Sequence, residues 1–136
     1  MLLVDTNVIL DVVEDDPEWA AWSQARLDAA ALRYTLLVNS VIYAELSIAY
    51  QRIEELEAML AAGGFRVEPI PREALFLAGK VFRQYRKRDG AKTGVLPDFF
   101  IGAHAAVAGI PLLTRDLRRY RTYFPKLSII HPEALP

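Results

Sequence analysis

LPDFFIGAHAAVAGIPLLTRD, residues 96–116, is apolar along most of its length and carries an aspartate near each end. Pro97 stands at its start and Gly109 follows the apolar run, so residues 97–109 read as a helix stopped by a glycine. The next residues, PLLT, read as a strand with no polar alternation, which means a strand covered on both faces. The same unit recurs along the chain. MLLVD is a buried strand that stops at an Asp-Thr-Asn helix cap, and the alanine-rich DPEWAAWSQARLDAAALR reads as a helix. YTLLVNS is a second strand, and Ser40 is placed to cap a helix over roughly residues 41–50. RIEELEAMLAAGG continues helically to a glycine pair, FRVEPI is a third strand, residues 72–88 form a long amphipathic helix with a basic end, DGAKTG is a loop, and LSIIH is a fifth strand after PLLT. Strand followed by helix, repeated, with strands apolar on both faces, predicts an α/β fold: a parallel sheet with helices on each side.

The chain of 136 residues is read as one domain, 1–136, with 53% apolar and 24% charged residues, a balance that excludes disorder. Cysteine is absent, which excludes disulfides, thiol catalysis and cysteine-held zinc, and suits a cytoplasmic location. The first residues lack a basic n-region and meet an acid at position 5, so they do not read as a signal peptide. The longest charge-free apolar stretch, residues 99–114, holds His104, two glycines and Pro111, and no membrane span is expected. The charge is uneven. Residues 1–68 hold 4 basic and 12 acidic residues, a net of −8, and residues 69–136 hold 12 basic and 5 acidic, a net of +7. The second half therefore suits an anionic partner, unless these are simply solvated helix faces.

In an open parallel sheet, sites form at the carboxyl ends of the strands. Asp5 ends the first strand, Asp116 lies just past the fourth, Glu45 is on the helix after the second, and Asp98 is in the first turn of the helix before the fourth. All four can meet at one edge. Asp5, Asp98 and Asp116 also lie near helix starts, where capping alone would explain each of them. Glu45 does not complete a capping box, and it is the only charged residue between Ser40 and Ala49. Its helix reads as buried on most sides, so Glu45 calls for a cation or a distant arginine. Hard oxygen ligands without Cys, and without His at zinc spacing, point to Mg²⁺ or Mn²⁺. His104 and His131 read as structural histidines, and Trp19, Trp22 and the tyrosines as packing residues. No phosphate-binding glycine loop and no Ser/His/Asp order stands out.

LLVDTNVIL, NSVIYAEL, LPDFFIGAHAAVAG and LLTRDLRRY, in that order and spacing, resemble the four acidic motifs of PIN-domain ribonucleases, and most of all the VapC-type toxins of toxin–antitoxin pairs. The resemblance spans nearly the whole chain. It implies a three-layer α/β/α sandwich with a five-stranded parallel sheet, and it makes Asp5, Glu45, Asp98 and Asp116 the catalytic, metal-binding acids. Thr6, Asn7 and Thr114 become supporting polar groups. It further implies Mg²⁺- or Mn²⁺-dependent cleavage of RNA, frequent homodimers and inhibition by a cognate antitoxin. Without another general base in the motifs, water activation falls to the metal, helped by Asp98.

Two basic clusters are tied by sequence to these acids. Arg115, Arg118, Arg119 and Arg121 surround Asp116, while Arg86, Lys87, Arg88 and Lys92 precede Asp98, so both are expected to rim the site and track RNA phosphates. Residues 41–62 offer more apolar side chains than one sheet face needs (Ile48, Tyr50, Ile53, Leu56, Met59 and Leu60), which predicts a face for a second copy or an antitoxin. Phosphotransfer domains built on the same architecture fit poorly. The position that a haloacid-dehalogenase-like phosphatase gives to Asp-x-Asp reads Asp5-Thr6-Asn7, and FRVEPIP offers no suitable aspartate for a receiver. A PIN-like module that only binds RNA or protein remains the alternative from another class, against which the intact acid set argues.

Overall fold

The structure, a computed structural model, describes residues 1–88 and 96–132. The loop expected at DGAKTG, with Lys92, lies outside the described residues. The elements run β1 Leu2–Val4, α1 Thr6–Val13, α2 Ala20–Ala31, β2 Leu36–Asn39, α3 Ser40–Ser47, α4 Ile53–Ala62, β3 Phe65–Glu68, α5 Arg72–Arg88, α6 Leu96–Ala108, β4 Leu112–Leu113, α7 Leu117–Tyr123 and β5 Ile129–Ile130. The five strands form one sheet in the order β3-β2-β1-β4-β5, parallel at every pairing. The chain steps outward from β1 through β2 to β3, crosses back beside β1 as β4, and ends at β5. Right-handed crossovers put helices reached in opposite directions on opposite faces. Accordingly α1 packs on α2 and α3, while α5 packs on α6 and α6 on α7, giving a three-layer α/β/α sandwich.

The three inner strands are buried on both faces. Leu2, Leu3, Val4, Leu36, Leu37, Val38, Leu112 and Leu113 carry the middle of the core, and Ile9, Ile42, Leu46, Leu56, Phe99, Ile101 and Tyr120 close on it from the helices. The edge strands β3 and β5 are only partly covered. Gly109 ends α6 at a φ of 67°, where an L side chain is strained, and the Ile110 N–H returns to the Ala105 carbonyl at 3.1 Å. Gly102 has a different reason. A Cβ there would stand 2.4 Å from the Phe124 ring, so the missing side chain is what lets the residue after α7 seat against α6.

Several local expectations change. Asn39, rather than Ser40, caps α3, its Oδ1 accepting the Ile42 N–H at 3.0 Å. The helical run over residues 41–62 is broken: α3 stops at Ser47 and α4 restarts at Ile53, where the Glu55 carboxylate accepts the Arg52 N–H at 3.2 Å. α3 is not buried on most sides. Only Ile42 and Leu46 are buried, one turn apart, and Ile48 is 86% exposed. Leu56 and Leu60, expected at an interaction face, are core residues at 1% and 3% exposure. The helix predicted over 16–33 is shorter, Ala20–Ala31, and the helix whose start was expected near Asp116, without a range, is α7.

Candidate functional site

The order of the strands reverses beside β1, which makes the carboxyl ends of β1 and β4 the switch point of the sheet, where sites form in open parallel sheets. Val4 pairs with Leu113 in register, so the next residues on each strand, Asp5 and Thr114, are brought side by side. Asp5 is 4% exposed and surrounded by donors. Its Oδ1 accepts the Thr6 N–H at 2.8 Å at the start of α1, and its Oδ2 accepts the Thr114 hydroxyl at 2.8 Å and the Tyr120 hydroxyl at 3.0 Å. Thr114, fully buried, also accepts the Asp116 N–H at 3.0 Å and the Asn7 side-chain amide at 3.4 Å. Asn7 Oδ1 in turn accepts the Arg115 N–H at 3.3 Å.

Glu45 is half-buried and takes the Thr6 hydroxyl on Oε1 at 2.6 Å, which ties α3 to the start of α1. Asp98, in the first turn of α6, is ion-paired to Arg119 of α7. Asp116 precedes α7, but its side chain caps nothing, so capping does not account for it. The four acids lie in one another's field. Asp98 raises the pKa of both Asp5 and Glu45, and Asp116 raises that of Asp98. In each of the three shifted acids the largest cause is burial. Asp5 is pushed up to about 7 from 3.8, because burial and the charge of Asp98 outweigh the hydrogen bonds from Thr114, Tyr120 and Thr6. Burial, with Asp5, Asp98 and Glu45 around it, raises Tyr120 well above the usual tyrosine range, so it stays a neutral donor.

This donor set suits a hard divalent cation in its chemistry: carboxylates and hydroxyls, no thiol, and an acid, Asp5, whose charge burial disfavours. It is not closed around an ion. Among the described residues no group of three or more His, Cys, Asp or Glu side chains is arranged to hold one. Asp5, Glu45, Asp98 and Asp116 are therefore brought to one edge, with Asp98 facing an arginine.

The basic residues divide. Arg115 is not free at the rim; its Nε and Nη2 grip both oxygens of buried Asp11 at 2.6 and 2.9 Å, and its guanidinium lies 5.2 Å from the centre of the Trp19 ring. Ser23 completes that buttress with a 2.7 Å bond to Asp11, holding α2 to α1 and to the end of β4. Arg119 faces the acids. Arg118 and Arg121 are exposed on α7, as are Arg86, Lys87 and Arg88 at the end of α5. His104 is structural: burial lowers its pKa, and the Asn39 amide stands 3.1 Å from its Nδ1. Since Asn39 Oδ1 is used by the cap, the amide nitrogen is the donor and the ring carries its proton on Nε2. His131 is nearly buried, and its Nδ1 has no partner among the described residues. Tyr120 and the Asp11–Arg115 pair were missed by sequence reasoning. A tyrosine one turn after Asp116 within LLTRDLRRY was the available signal for the first.

The PIN domain family model matches residues 2–125, and the chain belongs to that family. Solved structures share its fold. A chain of VapBC2 from Rickettsia felis, bound to a DNA fragment from their promoter, matches with a TM-score of 0.73 and 17% identity over 96% of this chain and 97% of that one. FitAcB from Neisseria gonorrhoeae gives 0.70 and 22% over 99% and 100%. A toxin–antitoxin complex from Klebsiella pneumoniae gives 0.66 and 19% over 96% of each chain. No curated protein sequence matches significantly. Among the described residues no helix is long and apolar enough to cross a membrane.

The state of Asp5 sets a pH dependence. A carboxyl whose folded pKa lies near 7 and whose unfolded pKa is near 3.8 binds more protons folded than unfolded between those values. Its contribution to stability is thus fully present below about pH 4, falls as pH rises, and is lost above about pH 7. Asp5→Asn removes that contribution while leaving the opposite trend of His104, so the comparison isolates it. With EDTA present, the melting temperature of the wild type relative to Asp5→Asn should fall by at least about 5 °C between pH 4 and pH 8. A constant difference across that range would show that Asp5 is not a buried, proton-holding acid.

Proposed function

We propose that the chain is a metal-dependent endoribonuclease, the toxin of a VapC-type toxin–antitoxin pair, which hydrolyses RNA phosphodiester bonds in the cytoplasm and is restrained by a cognate antitoxin. The observation that carries this reading is the meeting of Asp5, Glu45, Asp98 and Asp116 at the β1/β4 switch point, with Thr6, Asn7 and Thr114 hydrogen-bonded among them. The toxin–antitoxin complex among the fold neighbours supports the partner. A bound Mg²⁺ or Mn²⁺ would supply Lewis-acid polarisation of the phosphate and an acidified water. The chain's own residues do the rest. Tyr120 and Thr114 hold Asp5 in one orientation, Thr6 holds Glu45, and Asp98 and Asp116 face the same space from α6 and from the start of α7. The purified chain should cleave RNA with Mg²⁺ or Mn²⁺ and stop with EDTA, and Asp5→Asn or Asp98→Asn should each lower cleavage by about 100-fold or more while the fold persists. Full activity in either variant refutes the site.

A module that binds RNA without cutting it is the second reading, favoured by one fact: Asp98 already has a cationic partner. Mn²⁺ separates the two. A nuclease site should raise the melting temperature with Mn²⁺ and lose that rise in Asp5→Asn, whereas a non-catalytic module should show no rise.

RNA would be held by the exposed cations, since most of its affinity comes from phosphate contacts with Lys and Arg. With Arg115 and Arg119 engaged, Arg86, Lys87, Arg88, Arg118 and Arg121 remain for that role among the described residues. In Ca²⁺, to limit cleavage, Arg88→Ala or Arg118→Ala should weaken binding for unrelated sequences alike and flatten log K against log[salt] by about 0.7 per lost contact. Arg33→Ala, on the acidic half, is the control. Unchanged affinity and slope in both variants would turn the basic half toward another partner.

For a second copy we place the contact at the α3/α4 break, where Ile48 and Ile53 are 86% and 64% exposed beside Tyr50. The wild type should sediment as a dimer at micromolar concentration, and Ile48→Glu with Ile53→Glu should sediment as a monomer. A wild type that stays monomeric at every concentration rules this out.

A further inference from the structure

α7 carries two exposed arginines, Arg118 and Arg121, and one turned to the acids, Arg119. Arg119 reaches Asp98 of α6 across 21 residues of sequence, and the paired side chains are 36% and 23% exposed, so solvent screens the pair only in part. A carboxylate oxygen that accepts a guanidinium N–H has that direction taken, and a cation approaching Asp98 competes for it. Asp116 lies in the same field, adding to the attraction that keeps the guanidinium there.

We propose that the Arg119 guanidinium is the site's own counter-cation, seated on Asp98 until a divalent ion displaces it. The inference rests on the metal-site reading above. It makes ion affinity a difference between two occupants of one carboxylate. If Asp98 is free of Arg119 for only a small fraction of the time, the apparent affinity for the ion is lowered by that fraction. Arg119 then tunes affinity without being an ion ligand, and it keeps four acids tolerable to the fold when no ion is present.

The test is Mn²⁺ binding to the full chain by calorimetry. Arg119→Gln should bind Mn²⁺ about tenfold more tightly than the wild type. Lys126→Gln removes the same charge from an exposed position before β5, at the opposite edge of the sheet, and should change affinity by less than about twofold. In an Asp98→Asn background, adding Arg119→Gln should give no tightening. As a measurement that needs no variant, Mg²⁺ titrated into the wild type should move the Arg119 Nε–H resonance toward that of an exposed guanidinium, in step with saturation. Equal or weaker Mn²⁺ binding by folded Arg119→Gln, or an Arg119 resonance that stays put at saturating Mg²⁺, overturns the proposal while leaving the metal site standing. If the wild type and both single variants alike bind no Mn²⁺, the metal-site reading fails and this inference fails with it.

Discussion

A carboxylate buried at the end of the central strand has to be satisfied, and the rest of the site is arranged around that requirement. Asp5 receives donors from the start of α1, from the end of β4 and from α7. Each is a separate element, and each is fixed by the bond it makes: α1 is capped, β4 is held in register, and α7, with seven residues and a single buried one, gains a buried anchor. A buried carboxylate without such partners would cost several kcal/mol, roughly the margin on which a domain of this size survives. Even with three donors its proton is not fully released near neutrality. Under the proposed metal-site reading, that residual unfavourable charge is what a bound cation would relieve.

The acids stood out together rather than singly: capping would explain Asp5, Asp98 or Asp116 alone, but the strand-and-helix order sets all four at one edge of the sheet. The sheet was legible for a separate reason. The inner strands are apolar on both faces, which only a doubly covered parallel sheet explains. Edge strands and helix ends were less so. Asn39 and Ser40 are both good caps, and only the backbone decides which of them stands just outside the helix. Glu45 was read as deeply buried because its neighbours are apolar, yet α3 buries just Ile42 and Leu46, and its other apolar side chains turn outward or half outward.

The basic run around Asp116 shows where a charge count fails. Arg115, Arg118, Arg119 and Arg121 look like one patch in the sequence, but Arg115 stands ahead of α7 and turns back to Asp11, while helical geometry sends Arg119 to Asp98 and the other two to solvent. The helix that sorts the last three, α7, gave no apolar period to recognise, and Tyr120, read with the other tyrosines as a packing residue, gave no sign that its hydroxyl serves Asp5. The acidic and basic halves are therefore not simply opposed faces. Arg115–Asp11 stitches one to the other beside the site.

The strand order also has a temporal side. Asp5 meets Thr114 and Tyr120 across 109 and 115 residues of chain, whereas Thr6 meets Glu45 across 39. Contacts between distant parts of a chain close late, because the loop between them must be ordered first. As the polypeptide is made from its first residue onward, β1, β2 and their helices can assemble while β4 and α7 do not yet exist. Such an intermediate has Asp5 and Glu45 but neither of the hydroxyls that fix Asp5 nor two of the four acids. The full set of acids at this edge is thus complete only once the segment from α6 to α7 has joined the sheet.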